Sequence, residues 1–437
     1  MSKITRREFT RTTIALTAAT ALGSMRVMGA NDRVNMGVIG CGGRGSQDMG
    51  NFLKQPDMTF SAVCDAYEPF RDRAVKTVAA ANGTATPFKD FRQLLEKKDL
   101  DAILIATPDH WHALMTIYAV RAGKDVYCEK PLSLMLHEGR LMTDEARKHK
   151  RVVAVGSQQR SGAHYAEAVK LIQGGEIGEV HHISAGMTRN AMPGFVAREL
   201  RNGLTDALDW DMWLGPAPKV PFNPFRAIYH FRWFWDYSGG QMTNWGAHHL
   251  DIARWALNAE GPTAVAGFGG RYAMKDGGET PDVQQVIYNF PTCVVNWSTR
   301  EINQGDSQTL TFYGTKASLD LTRGGFKIRP ETWTGQDPAN PEKKWEPATQ
   351  AREVKGGDLD AQHVRNFLDC VKSRQRPNAD IEEGHRSAVM CHLGNLSTRL
   401  GRSLTWDSTK ERVTNDDEAN KLLMKEYRKP WSLSATS

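Results

Sequence analysis

The chain of 437 residues lacks closely spaced cysteines: its six, Cys41, Cys64, Cys128, Cys293, Cys370 and Cys391, are scattered. That spacing offers neither a disulfide framework nor a zinc knuckle and leads us to expect free, mostly buried thiols. Runs of Lys or Arg are also missing, as is any basic stripe interleaved with aromatics. The formal charge of +6 is concentrated in the first 30 residues, where Lys3, Arg6, Arg7, Arg11 and Arg26 face only Glu8, leaving 51 basic against 49 acidic residues beyond. A chain so balanced gives no electrostatic case for nucleic acid. After the leader, no stretch approaches the roughly 20 apolar residues of a membrane span, so no span is expected. Internal repeats and low-complexity tracts are absent. What remains is a length that exceeds one hydrophobic core and divides most naturally into two domains.

The leader itself has an order. Thr-Arg-Arg-Glu-Phe-Thr-Arg (residues 5–11) precedes a mildly apolar run from Thr12 to Leu22 and a small-residue zone ending near Ala30. Residues 1–30 resemble a twin-arginine signal peptide. The resemblance implies recognition by the Tat export machinery, passage of an already folded protein, and a periplasmic location. No Cys follows the apolar run, so a lipid anchor is not expected. Because that compartment holds no pool of nucleotide cofactor, any such cofactor must travel inside the folded protein.

Val34 to Ile39 is an apolar run of strand length that leads into Gly40-Cys41-Gly42-Gly43-Arg44-Gly45 and then a helical stretch. In a GxGxxG turn the first glycine permits the tight turn, the second lets backbone approach a pyrophosphate, and the third lets helix pack on strand. A second strand, Phe60 to Cys64, ends at Asp65, twenty residues after Gly45, where a carboxylate would accept from an adenosine ribose and repel a 2′-phosphate. NAD is therefore expected over NADP. Strand and helix patterns keep alternating through residues 102–106, 113–121, 125–128, 134–149 and 152–155, which predicts a doubly wound parallel sheet with ligands at the strands' carboxyl ends. Thr107-Pro108 and Glu129-Lys130-Pro131 fall there.

With the glycine turn, "ATPDHWHALMTIYAVRAGKDVYCEKP" ending at Pro131, "VGSQQR" from Val155, "GGEIGEV" from Gly174 and "GGQMTNWGAHHLDIARW" from Gly239, the chain resembles the Gfo/Idh/MocA family of sugar and polyol oxidoreductases. The match runs over most of the chain after residue 33. It implies a Rossmann domain over residues 31–156 and, over 157–437, an α/β domain on a large, mostly antiparallel open sheet. It implies that Lys130 is the active-site lysine and His248 the acid/base beside it. One departure stands out: the family often has Asp four residues before that His, and here the position is Asn244. Gly40, Gly42, Gly43, Arg44, Gly45, Asp65, Thr107, Pro108, His112, Glu129 and Lys130 form the expected cofactor set. Gln159, Arg232, Asp236, Asn244, His248 and His249 form the expected substrate set.

The chemistry can be stated apart from the family. Oxidising a carbinol requires the hydroxyl proton to leave, so a base must lie within hydrogen-bond reach, and His248 suits that role. A Lys130 ammonium would lower the cost of the alkoxide, with Glu129 holding the lysine. The alternative for Glu129 and Lys130 is a surface ion pair; for His248 it is a polar residue at a helix start capped by Asn244 and Gly246. Asp251, one turn after His248, could partly replace the missing carboxylate. Adjacent His248 and His249 point about 100° apart on a helix and cannot easily share one ion, so no metal is expected.

The second region offers strands at 180–186, 265–269, 283–289, 293–299 and 309–313 that alternate apolar and polar residues, as an antiparallel sheet with one covered face requires. An aromatic stretch over 206–237 carries Arg232 and Asp236, and rings beside charged groups suit a sugar. Trp213, Trp233 and Trp235 fit either that role or core packing. Residues 330–355 read as an exposed excursion, 360–374 and 381–400 as helices, and an open sheet makes a homo-oligomer plausible. Three functions follow: an exported oxidoreductase with tightly held NAD acting on a secondary hydroxyl of a sugar, polyol or glycoside; a redox-neutral glycoside hydrolase working by transient oxidation and elimination; and a non-catalytic NAD-containing binding protein.

Overall fold

The computed structural model describes residues 33–192, 194, 207–305, 308–332, 342 and 348–434. The leader, residues 1–30, lies outside them, as does residue 206 of the aromatic stretch.

Six strands form the first sheet: β1 (Val34–Ile39), β2 (Met58–Cys64), β3 (Thr86–Phe88), β4 (Ala102–Ile105), β5 (Asp125–Cys128) and β6 (Val153–Val155). They run in the order β3-β2-β1-β4-β5-β6, all pairs parallel. β4 and β5 are buried at every residue, as strands covered on both faces must be. This is the doubly wound order whose direction reverses between β1 and β4, the place where such sheets open a crevice.

A second sheet of ten strands follows: β7 (Val180–Thr188), β8 (Ala264–Gly270), β9 (Val283–Asn289), β10 (Val294–Arg300), β11 (Gln308–Gly314), β12 (Ala317–Thr322), β13 (Gly325–Pro330), β14 (Arg352–Lys355), β15 (Leu404–Asp407) and β16 (Arg412–Val413). Its order is β14-β13-β12-β11-β7-β10-β9-β8-β15-β16. β7 and β10 are parallel and the other pairs antiparallel. Residues along β9 and β10 alternate between buried and open. Trp297, Tyr288, Val286 and Val295 enter a core shared with the helices Ala163–Gln173, Ala247–Leu257 and Ile381–Leu400. The other face leaves Phe268 70 % and Ile287 53 % exposed, an apolar surface on the open side. β14 corrects the reading of 330–355 as excursion throughout: Phe326 to Val354 pairing makes its end an edge strand.

The two sheets are joined by shared packing. The helix Leu359–Ser373, late in the chain, sends Val364, Phe367 and Leu368 into the core under the first sheet, and Phe367 meets Phe52 and Tyr127 edge to face. At the far end, Trp431 lies with Phe91 and Trp111 in the core on the sheet's other side. All six cysteines are buried free thiols. No helix among the described residues is long and apolar enough to cross a membrane.

Candidate active site

A cavity of about 490 Å³ opens at the carboxyl ends of β1, β2, β4 and β5 and is closed from the other side by the second domain. Its floor is the glycine turn. Gly40 has φ +89°, and a Cβ there would stand 2.7 Å from the Ala106 backbone; at Gly45 a Cβ would stand 1.8 Å from the Gly40 carbonyl oxygen. Only glycine lets β1 swing this tightly into the helix Gly43–Leu53. Gly42 and Gly43 face the cavity, and the helix they begin has no side-chain cap, so its first N–H groups are available to an anion. A Cβ on Gly43 would meet nothing. With the buried, unpartnered hydroxyl of Thr107 close by, this floor fits the dinucleotide that the sheet order and the glycine turn imply.

Charged groups at this end are already engaged. Asp65 accepts from the amides of Cys41 (2.7 Å) and Tyr67 (2.8 Å). It therefore clamps the glycine turn as well as facing the cavity, and burial pushes its carboxyl up to about 6 against those two amides. Arg44 donates to Glu129 at 3.0 Å and bridges Asp48 at 2.8 Å and Asp360 at 3.2 Å. Its guanidinium is committed to protein carboxylates, so the expected contact with cofactor is left to its backbone. Gly45 is buried under the turn and does not line the cavity; its role is the close packing just described. His112 is corrected too. Its ring nitrogens meet the Pro131 carbonyl at 2.7 Å and the Thr107 carbonyl at 3.0 Å, so it ties the loops after β4 and β5 together from behind. Burial lowers its basicity, but Cys128, Asp109 and the Pro131 carbonyl outweigh that and hold it up at about 10.

Lys130 projects from the loop after β5. Its ammonium donates to the backbone oxygen and to Oδ1 of Asn244, both at 2.8 Å. Glu129, expected to hold this ammonium, instead accepts from the Lys130 amide and from Arg44. Burial pulls Lys130 down to about 8, with nearby Glu129 opposing and Arg232 adding to the fall. Asn244 sits in a π turn, Met242–Gly246, that runs straight into the helix Ala247–Leu257. Asn244 and Gly246 are thus part of a continuous helical run, not caps, and wide turns of this kind often mark functional sites. The Asn244 amide is oriented by a chain: its Nδ2 donates to Gln241 Oε1 (3.1 Å), and Gln241 Nε2 donates to the fully buried Glu301 (2.7 Å).

One turn further on, His248 lines the cavity with its Nδ1 buried and unpartnered. Burial, followed by the charges of Lys130 and Arg323, holds its imidazole well below the usual histidine range, so at neutral pH it is an uncharged base. His249 points elsewhere, between Trp245 and Trp297 in the second core, and leaves the substrate set. Asp251 cannot stand in for the missing carboxylate: Arg160 donates to both its oxygens at 2.9 and 2.8 Å, and Ser387 adds a third bond at 2.5 Å. Gln159 binds the Tyr165 hydroxyl at 2.8 Å away from the cavity, whereas its neighbour Gln158 lines it. Asp236 lies outside as well, 3.8 Å from Lys425 of the tail and 4.0 Å from Arg226.

The structure thus gathers Gly40, Gly42, Gly43, Arg44, Asp65, Thr107, Pro108, Glu129, Lys130, Arg232, Asn244 and His248 around one cavity. It adds Asp109, Tyr229, Trp245 and Arg323, for which the sequence carried weaker signals. Trp213 lines the cavity, Trp233 is core and donates to Glu301 at 2.7 Å, and Trp235 lies under Arg399. Among the described residues, no group of three or more metal-ligating side chains forms.

Residues 34–157 match the family model for the oxidoreductase family's NAD-binding Rossmann fold, and residues 196–266 with 349–433 match the model for its C-terminal alpha/beta domain. The chain belongs to the Gfo/Idh/MocA family. Its first domain is an NAD-binding Rossmann domain. The chain is similar to an uncharacterized oxidoreductase, YrbE, of Bacillus subtilis (strain 168), with 26 % identity over 64 % of this chain and 72 % of that protein. It is also similar to a glycosyl hydrolase family 109 protein of Shewanella sp. (strain W3-18-1), with 30 % identity over 35 % of this chain and 34 % of that one. The match thus spans about a third of the second relative. Among solved structures, a levoglucosan dehydrogenase in complex with NADH and levoglucosan has the same fold: TM-score 0.64, 17 % identity, 85 % of this chain and 99 % of that one.

Proposed function

We propose that this Gfo/Idh/MocA protein oxidises a secondary hydroxyl of a sugar, polyol or glycoside, with NAD held tightly in the cavity. The observation that carries this reading is the pairing of Lys130, a half-buried ammonium held by two neutral oxygens of Asn244, with His248, which lines the same cavity. NAD, when bound, supplies the acceptor for the hydride that leaves the carbinol carbon. His248, uncharged at neutral pH, takes the hydroxyl proton. Lys130 stabilises charge building on that oxygen, in a site where its position is set before reaction. Gly42, Gly43 and the open helix start hold the pyrophosphate, and Asp65 accepts from the ribose with the lone pairs its two amide bonds leave free. The levoglucosan dehydrogenase fold supports a carbohydrate substrate.

A second reading has its own support. The glycosyl hydrolase family 109 protein matches 156 residues of this chain, and a cofactor carried out of the cytoplasm must end each turnover in its starting redox state. Transient oxidation, elimination, hydration and re-reduction would hydrolyse a glycoside by the same two residues. The test is to purify the protein natively, denature it, and identify any released nicotinamide by mass, before and after incubation with sugars and aryl glycosides. NADH appearing in the site supports the oxidoreductase. Aryl glycosides cleaved with NAD unchanged support the hydrolase, and an empty protein that turns over added NAD removes the tightly held cofactor from both.

Export and assembly belong to the same proposal. The leader directs the folded chain through the Tat machinery to the periplasm, so Arg6→Lys with Arg7→Lys should retain the protein in the cytoplasm on fractionation. The apolar face bearing Phe268 and Ile287 forms a homo-oligomer contact, and Phe268→Glu should reduce the mass seen by light scattering.

A further inference from the structure

We propose that the substrate of this cavity carries an anionic group, a carboxylate or a phosphate ester on the sugar, bound by Arg232 and Arg323; this rests on the oxidoreductase reading above. Arg44 has Glu129, Asp48 and Asp360, and Lys89 has Asp209 at 2.9 Å. Asp65 has its two amides and Asp109 the Ser238 hydroxyl. Arg232 and Arg323 have nothing comparable. Arg232, on the short helical turn His230–Trp233, donates only to the Tyr229 carbonyl at 3.2 Å and lies over the rings of Tyr229 and Phe231. Arg323, at the turn between β12 and β13, lies 4.8 Å over the Trp245 ring. Neither forms an ion pair with a carboxylate of the described residues; Asp109 and Glu129 act on Arg232, and Asp360 and Glu129 on Arg323, only from a distance.

Lys130 makes three cationic heads at this end, because its partners on Asn244 are neutral. Guanidiniums drawn into a protein cleft are normally matched by an anion, since desolvating the charge is costly and its planar fork suits carboxylate or phosphate. The dinucleotide does not supply that anion here, because its pyrophosphate belongs at the open helix start by Gly42 and Gly43. A neutral sugar would leave both guanidiniums unmatched. An acidic one would bring its charge to the guanidiniums that line the same cavity.

The test uses the NAD-loaded protein and matched sets of hexoses, hexuronates and hexose 6-phosphates of gluco, galacto and manno configuration. Reduction of bound cofactor is followed by absorbance and binding by calorimetry. One acidic class should exceed its neutral counterparts in kcat/KM by about 30-fold, the scale of one charged hydrogen bond, and which class does so identifies carboxylate or phosphate. Arg232→Gln should raise KM for that acid by a similar factor, with kcat nearly constant and NAD retained; Arg232→Lys should recover part of it; Arg323→Gln should show a smaller rise. Saturable binding of an acid that Arg232→Gln abolishes, without cofactor reduction by any sugar, would keep the anion site and remove the oxidoreductase reading. Neutral hexoses oxidised as well as the acids would remove the anion site and keep the oxidoreductase. Loss of NAD from Arg232→Gln or Arg323→Gln, or no binding of either acid class, overturns the proposal.

Discussion

The two ends of the cavity are finished in different ways. Around the glycine turn, Asp65, Arg44 and Glu129 are all bonded within the protein, and the cavity is lined there by backbone together with Asp65 and Thr107. Around the π turn, His248 Nδ1 and Gln158 Oε1 are buried without partners, and Lys130, Arg232 and Arg323 form no ion pair with a carboxylate of the described residues. The first end has its charged groups settled before anything binds. The second keeps its polar groups spare for a molecule that changes during reaction, and this division separates holding a cofactor from doing chemistry beside it.

Four substitutions test this division. Lys130→Met should leave NAD content unchanged and cut kcat by about 10²–10³-fold, the cost of one preorganised charge stabiliser; mass analysis and single-turnover rates read both. Gly45→Ala should do the reverse. Its Cβ meets the Gly40 carbonyl oxygen, an overpacking that costs about 3 kcal/mol or more, seen as a lower thermal midpoint and an empty cofactor site.

Asn244→Asp tests how the spare end is tuned. Activity requires His248 neutral, so it is lost as pH falls through a value well below 6.5. It requires Lys130 charged, so it is lost as pH rises through about 8. A carboxylate on Lys130 favours the ammonium and should carry the alkaline limb upward by about one unit, about a fivefold gain near pH 9 relative to neutral pH. The same change sets an acceptor against Gln241 Oε1 and should lower the melting temperature. The smallest effect belongs to Asp65→Ala, a few-fold loss of preference for NAD over NADP in competition binding, with a looser glycine turn because the Cys41 amide loses its acceptor.

Much of this was legible in sequence for a physical reason. Parallel strands buried on both faces read as unbroken apolar runs, so β4 and β5 were placed within a residue, and glycines that admit no Cβ announced the turn. The misses share another cause. Gln158 and Gln159 differ only in which way a short helical turn aims them. Asp236 looked poised beside aromatics, but a lysine almost two hundred residues later claims its surroundings. Arg323 was hidden because Thr-Arg-Gly-Gly between two strands reads as a solvent turn, and nothing local tells which turn overhangs another domain. The role of Asn244 needed Gln241 and Glu301 in place: the amide that looked like a defect is the residue able to donate to one neighbour while accepting from Lys130.

The last residues of the chain set an order of assembly. Tyr427 donates to the buried Glu138 at 2.7 Å, Arg428 reaches the Gly215 carbonyl at 2.8 Å, and Trp431 fills the gap between Phe91 and Trp111. A Rossmann unit encoded almost entirely before residue 156 therefore stays unsealed until residues 427–431 have been made and docked. A chain stopped before Tyr427 should remain protease-sensitive within its first domain even though every strand of that domain has been synthesised.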